Sequence, residues 1–265
     1  MAELGEWTCS YNGLVMGEPD SAVSIVQVDG LLTLPEVRSS DLELVQRNGL
    51  WAGDDYLNGR TVTLTLEVYG TDPDSFGEAL SDVVAAFQPG GDEKPLRFLF
   101  PGLAGNLTAY VKARPRKRSG PLDLHFAYNV CNVVIELFCT DPYIYADADR
   151  TVTALTPVGN VDTRVRLTAN TAVTALPVIT VTGAKNLHIT DEITGDTFGV
   201  TYTGNYTIDS AAQKVTTSTG LDITGLITAG SVWPEFVHGE HRLALTHDDA
   251  TNAAQAVYTW RGMWV

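Results

Sequence analysis

Hydrophobic and polar residues alternate with a period of two through Arg60–Tyr69 (RTVTLTLEVY). Val62, Leu64, Leu66 and Val68 point one way and Thr61, Thr63, Thr65 and Glu67 the other, which predicts a strand with one buried and one wet face. Ala22–Asp29 is a β-branched run closed by the Asp29-Gly30 turn signal, so a second strand is expected there. The period then lengthens. Phe76, Leu80, Val83, Val84 and Phe87 recur at helical spacing, with Asp72 placed to cap and Pro73 at the first helical position. Gln88-Pro89-Gly90-Gly91 stops the pattern, so a helix is predicted over 73–88. Its apolar stripe is narrow, which requires it to lie against a sheet. Strands resume at Pro95–Phe100 and Leu107–Ala113, and a long apolar stretch runs from Leu122 to Cys139 before Asp141-Pro142 interrupts it.

The pattern changes after about Tyr145. Between Thr151 and Ser231 there are 20 threonines among 81 residues, a composition suited to pleated, half-exposed surfaces. Short strands are predicted at Arg164–Thr168, Val178–Thr182, Asn186–Thr190, Thr197–Tyr202, Tyr206–Asp209, Lys214–Thr217, Leu243–Thr246 and Val257–Trp260. Turn signals at Thr182-Gly183, Thr194-Gly195-Asp196 and Thr203-Gly204-Asn205 separate them. Many short strands with regular turns predict an all-β sandwich. The fold class is therefore mainly β with one helix, in two domains. Residues 1–148 form an N-terminal β-barrel or sandwich with a packed α-helix, and residues 149–265 form a C-terminal sandwich.

Length and composition agree with this division. The chain has 265 residues, enough for one large or two ordinary domains. Its formal charge is −15, which favours solubility and disfavours general attraction to nucleic acid or anionic membrane. The first residues, MAELGEWTCS, carry no secretory pattern. No apolar run reaches the roughly 18 residues of a membrane span, so folding in a cytoplasm is expected. Cys131 and Cys139, eight apart on one strand face, would lie about 26 Å apart and cannot pair there. Together with Cys9 they read as buried reduced thiols.

No residue set assembles catalytic or metal chemistry. Asp54-Asp55 and Asp248-Asp249 are adjacent in sequence, whereas glycosidase carboxylates must flank a bond. His238, His241 and His247 lack the convergent spacing of a zinc site. There is no Walker loop, GxSxG elbow or HExxH. No catalytic residue, metal or cofactor is expected.

One stretch departs from the acidic background. Lys112–Gly120 (KARPRKRSG) holds five of the chain's 17 basic residues. In strand phase Lys112, Arg114, Arg116 and Arg118 share a face with Tyr110, while Ala109, Val111 and Ala113 take the other. The strand is expected to break at Pro115 and turn at Ser119-Gly120. Residues 1–145 still carry 10 basic against 20 acidic side chains, which argues against nucleic acid as the partner. The stripe reads either as a solvated strand end or as a surface that meets an acidic patch on an identical neighbour.

Three stretches of the first half resemble the distal tail protein family of long-tailed, non-contractile bacteriophages: GLWAGDDYLNGRTVTLTLEVYG (Gly49–Gly70), PLRFLFPG (Pro95–Gly102) with the YVKARPRKRSGPLD that follows, and FCTDPYIYAD (Phe138–Asp147). In the second half LPVITVTG, YTIDSAAQKV and GSVWPEFVHGEHRLAL resemble the sandwich that ends many such proteins. The resemblance implies a structural virion protein at the tail tip, assembled in the host cytoplasm. The N-terminal domain would form a ring, usually hexameric, and the C-terminal domain would be a galectin-like sandwich outside it. The partners implied are other copies of the chain, the tail tube protein, a tail-associated lysin or fibre hub, and the tape-measure protein. DNA would pass through without sequence-specific binding, and no membrane is involved.

Within that expectation Arg60, Lys112, Arg114, Arg116, Lys117 and Arg118 are the candidate subunit-interface residues. The polar segment Pro35–Gly59, poor in core positions, is expected to be an arm on the neighbouring subunit. A glycan-binding adhesion protein and another ring protein of a phage-like injection machine are the alternatives. Trp233-Pro234-Glu235 lacks the arginine that a galectin sugar site requires, and no matching His-Asn-Arg strand is present, so Trp233 reads as packing.

Overall fold

The structure is a computed structural model, described for residues 3–44 and 46–265. The chain divides after Asp147 into two compact units; Val265 belongs with the first and Ala148–Trp264 form the second. No helix among the described residues is long and apolar enough to cross a membrane.

Unit 1 contains β1 (Thr8–Tyr11), β2 (Leu14–Met16), β3 (Val23–Asp29), β4 (Val37–Ser39), β5 (Leu42–Glu43), β6 (Leu50–Trp51), β7 (Asp55–Leu57), β8 (Arg60–Tyr69), α1 (Pro73–Ala86), β9 (Lys94–Leu99), β10 (Ala109–Ser119), β11 (Val130–Cys139) and β12 (Ile144–Ala146). Seven strands follow the open order β2-β1-β9-β10-β11-β8-β3. No closed barrel forms among the described residues; the architecture is the sandwich form of the predicted class. Its corner is β10. Ala109–Ala113 pair with β9, and Arg114–Ser119 pair with β11. A strand that passes between sheets bends or bulges where it changes partner, and β10 shifts register between Pro115 and Lys117.

The predicted break at Pro115 is therefore a bulge inside one continuous strand. Beyond Ala113 that edge of β10 no longer faces β9, so the N–H that proline lacks has no ladder to complete. The long apolar stretch is also shorter as a strand than expected. Only Val130–Cys139 pair, while Leu122 and Leu124 lie exposed in a connection that includes a 3₁₀ turn at Phe126–Tyr128.

The alternation in β8 is realised: Val62, Leu64, Leu66 and Val68 are fully buried. Helix α1 spans 73–86, two residues fewer than predicted, because Phe87 leaves helical geometry and becomes the C-cap. Asp72 Oδ1 accepts from the N–H groups of Asp74 and Ser75 at 3.0 and 2.9 Å, and Ser75 Oγ accepts from Asp72 N at 3.2 Å. This reciprocal box satisfies N–H groups that a helix start leaves orphaned. Phe76, Ala79, Val83 and Ala86 face the sheet, and Phe87 stacks on Tyr11 with ring centroids 4.9 Å apart.

Unit 2 contains β13 (Arg150–Thr156), β14 (Asp162–Ala169), β15 (Val178–Asp191), β16 (Thr197–Asp209), β17 (Lys214–Thr217), β18 (Gly239–Thr246) and β19 (Ala254–Trp260). The order β13-β19-β15-β16-β17 continues from β15 through β18 to β14. Here too one long strand changes partners: β15 pairs with β19 over Val178–Thr182 and with β18 over His188–Asp191.

Two pairs of predicted strands are in fact single strands. Thr182-Gly183 lies at a bulge within β15, and Thr203-Gly204-Asn205 lies within β16. Glycine inside a strand marks a bulge as readily as a turn. Gly183 shows why the residue is needed: its φ is +71°, and a Cβ there would stand 2.5 Å from the Ala253 carbonyl oxygen. Ile179, Val181, Leu187, Ile189, Phe198, Ile208, Leu245 and Tyr258 form the core of the unit.

Candidate functional site

The six basic residues singled out by sequence fall into three environments. Arg60 is inside the protein, with 1% of its surface exposed. Its Nη1 donates to the carbonyls of Gly30, Leu31 and Thr33 at 2.6, 2.8 and 3.3 Å, and its Nε donates to Pro142 O at 2.9 Å. Burial lowers its pKa from the ordinary guanidinium value. Four carbonyls from two places in the chain, residues 30–33 and Pro142, converge on one cation, which fixes the root of the segment between β3 and β8. Gly30 makes the approach possible: its φ is +88°, and a Cβ would lie 2.0 Å from Thr61 O.

The bulge in β10 sorts the stripe. Arg114 stands opposite Phe138, Lys117 opposite Glu136, and Arg118 opposite Ile135. Side chains alternate across a strand, and an extra residue resets the alternation. Lys117 therefore joins Lys112 and Arg114 on the outer face, and Arg118 moves to the other. This corrects the phase expected from sequence, which placed Arg118 on the outer face and left Lys117 off it. Arg118 reaches the helix instead, donating from Nη1 to Val84 O at 3.0 Å. Helix α1 has no basic residue in its last turn, so Arg118 supplies the cation that a helix C-terminus favours. Arg116 lies over the Phe138 ring, 5.5 Å from its centroid. Lys112, Arg116 and Lys117 are exposed and Arg114 is half-buried. Among the described residues none of the five forms an ion pair.

The segment 36–58 is a long β-ribbon. Val37 pairs with Leu57 and Ser39 with Asp55 in β4–β7, then Leu42 with Trp51 and Glu43 with Leu50 in β5–β6. Between the two ladders Gly53 N donates to Asp41 Oδ1 at 2.8 Å, which holds the Asp41 carboxyl below the usual carboxylate range. Leu42 and Trp51 are each 67% exposed, and Val37, Leu50 and Tyr56 are exposed beside them. An isolated two-stranded ribbon is marginal in water, and among the described residues this one buries none of its large apolar side chains.

The other candidates resolve into structure. The three cysteines are free and buried; burial pushes the Cys9 and Cys139 thiols up to about 12. Asp249 accepts from Thr251 and Asn252 and Asp248 from Asn186, so this acidic pair shapes turns. His238 Nδ1 meets Thr171 O, whereas His241 lies between Asp191 Oδ2 at 2.5 Å and Val237 O at 3.0 Å. No group of three or more His, Cys, Asp or Glu among the described residues is placed to hold a metal ion. Trp233 packs on Phe198 with centroids 4.8 Å apart, and Trp260 is buried against Phe236.

No family model matches the chain, and no curated protein matches it. Solved structures do. The crystal structure of the Dit protein of phage SPP1, described as a paradigm of the hub adsorption apparatus in phages infecting Gram-positive bacteria, superposes with a TM-score of 0.62 at 15% identity. The match covers 97% of this chain and 99% of that one. Chains of the phage P2 baseplate in its activated conformation, with calcium or strontium, give TM-scores of 0.46 and 0.45 at 8% identity, over 96% of this chain in both cases and 97% and 96% of those chains. At these identities the likeness to the SPP1 protein is one of fold, and it runs through both units.

Proposed function

We propose that the protein is a structural component of a bacteriophage tail tip, a distal tail protein whose first unit forms a ring, hexameric in this reading, at the end of the tail tube. The observation that carries the proposal is the fold likeness to the SPP1 Dit protein, which extends over 97% of the chain instead of a single domain. The ring joins the tail tube protein above to a lysin or fibre hub below, and the tape-measure protein and then DNA pass through it. The second unit is a galectin-like sandwich on the outside. The protein is not an enzyme in this reading; it works by shape and self-association.

Charge supports the reading. With the five cations of Lys112–Arg118 set aside, the rest of the chain stands at −20, from −15 − 5. An acidic lumen repels DNA phosphates and lets them slide, so the stripe belongs at a contact between subunits. Light scattering over a concentration series, with negative-stain images of the same fractions, tests this. Closed rings of about six copies are expected, alone or on adding the tail tube protein. A protein that stays monomeric in both conditions overturns the reading.

A further inference from the structure

We infer that Asn48-Gly49, in the turn that enters β6, is a site of spontaneous deamidation, where the asparagine becomes an aspartyl or isoaspartyl residue with water as the only co-reactant. The inference is independent of the ring reading.

The chain has three Asn-Gly steps, at 12–13, 48–49 and 58–59. Such a step is reactive because glycine has no Cβ to keep its backbone nitrogen away from the preceding side chain. At 48–49 the Gly49 nitrogen attacks Asn48 Cγ. A C–N bond forms, and the side-chain nitrogen leaves as ammonia, taking the proton that the Gly49 N–H gives up. Water then opens the succinimide. Breaking the new bond gives an aspartyl residue. Breaking the original peptide bond routes the backbone through the side chain and gives an isoaspartyl residue. No electrons are gained or lost in either route.

The fold decides which of the three steps can react. Asn12 and Gly13 have φ of +50° and +91°, the signature of a tight hairpin turn. The Asn12 amide is tied at both ends: Nδ2 donates to Ala86 O at 3.1 Å, and Oδ1 accepts from Lys94 Nζ at 2.6 Å. Asn58 donates from its backbone N to Glu36 O at 2.8 Å and from Nδ2 to Glu36 Oε2 at 3.3 Å. Gly59 behind it is so closely packed that a Cβ would stand 2.6 Å from Cys139 O, which leaves no room for a lengthened backbone. Asn48 and Gly49 are exposed. Among the described residues neither the Asn48 side chain nor the Gly49 N–H has a hydrogen-bond partner. The space is open as well, since a Cβ on Gly49 would find only Leu44 Cδ1, at 3.9 Å.

The product changes the ribbon. Glu36, Asp41, Glu43, Asp54 and Asp55 against Arg38 and Arg47 give residues 36–58 a net charge of −3, and the new carboxylate takes it to −4. The isoaspartyl form adds a backbone carbon beside the Glu43–Leu50 pair, where a two-residue ladder has little to hold it.

Ageing the purified full chain in mildly alkaline buffer tests this. Peptide mass spectrometry follows the exchange of –NH₂ for –OH at each site, and methyltransferase labelling reads the isoaspartyl share. Conversion at Asn48 is expected to run at least about ten-fold faster than at Asn12 or Asn58, each held by two hydrogen bonds that must break first. In denaturant the three rates are expected to converge. Asn48→Gln, a change at an exposed position, should abolish the signal of its own peptide and leave the others unchanged. Folded protein that converts no faster at Asn48 than at the other two steps overturns the inference. So does a difference that persists in denaturant, because the fold would then not be its cause. Neither result bears on whether the protein forms rings.

Discussion

Seven lysines and arginines lie in unit 2, and five of them (Arg164, Arg166, Lys214, Arg242 and Arg261) come within 3.9 Å of a carboxylate of the same unit. Ten lie in unit 1, and among the described residues only Arg97 does so, with Asp147. Acid is not scarce in unit 1. Half of its ten cations are concentrated on β10, and five of its acids lie on the ribbon. Exposed pairs contribute little to folding, so the difference concerns association more than stability. Unit 2 pairs most of its cations within itself, whereas most of those in unit 1 form no ion pair among the described residues.

Removing interior charge gives the largest effects on folding and makes the units look alike. Arg60→Met strips four carbonyls of their donor and is expected to cost unit 1 on the order of 3 kcal/mol or more. Asp191→Ala leaves His241 buried without its partner and is expected to cost unit 2 about 3–5 kcal/mol. Denaturant unfolding followed separately in each unit measures both, and a loss under about 1 kcal/mol in either would mean that interior charge is not what holds that unit.

Surface charge then separates them. Glu240→Gln removes the partner of Arg166 and Arg242 and is expected to cost unit 2 less than about 1 kcal/mol, with no change in assembly. Lys112→Gln/Lys117→Gln is expected to leave monomer stability unchanged while weakening association, and equal effects of the two variants on assembly would erase the contrast.

The helix cap gives a smaller, pH-dependent effect. The Ser75 N–H, with Thr71 and Ser75 hydroxyls, holds the Asp72 carboxyl below its usual range. Its stabilisation is therefore fully present above the unfolded carboxylate pKa of about 3.9 and is lost as pH falls through the depressed value. Asp72→Ala should lower the melting temperature of unit 1 at neutral pH, and the gap to wild type should close in acid. A gap that persists in acid would assign the effect to something other than the carboxylate.

The smallest signal is chemical. With thiols at about 12, Cys9 and Cys139 are expected to resist a thiol reagent until the protein unfolds; rapid labelling of the native protein would contradict the burial.

Local signals were legible before the fold was known, and long-range ones were not. The alternation of β8, the Asp72-Pro73 helix start and β17 were readable because each depends on neighbours in sequence. The swap of Lys117 and Arg118 across β10 was not, since it follows from where β10 leaves β9 for β11. Nor was the fate of Arg60, whose acceptors come from residues 30–33 and 142. Gly183 and Gly204 looked like turns because glycine permits both a turn and a bulge, and only the partner strand decides. Within the stripe, the concentration of charge was plain from sequence, whereas the task of Arg118 required knowing where α1 ends.

The ribbon has one more consequence, for the subunit before assembly. Leu42, Leu50 and Trp51 on a two-stranded edge are what drives stray strand pairing and precipitation. Glu43 in the same ladder and Asp54 and Asp55 near it are placed as gatekeepers, whose like charge keeps free copies apart. Replacing those acids with alanine, unlike reversing their charge, is therefore expected to yield insoluble protein, so these carboxylates serve the solubility of the free chain.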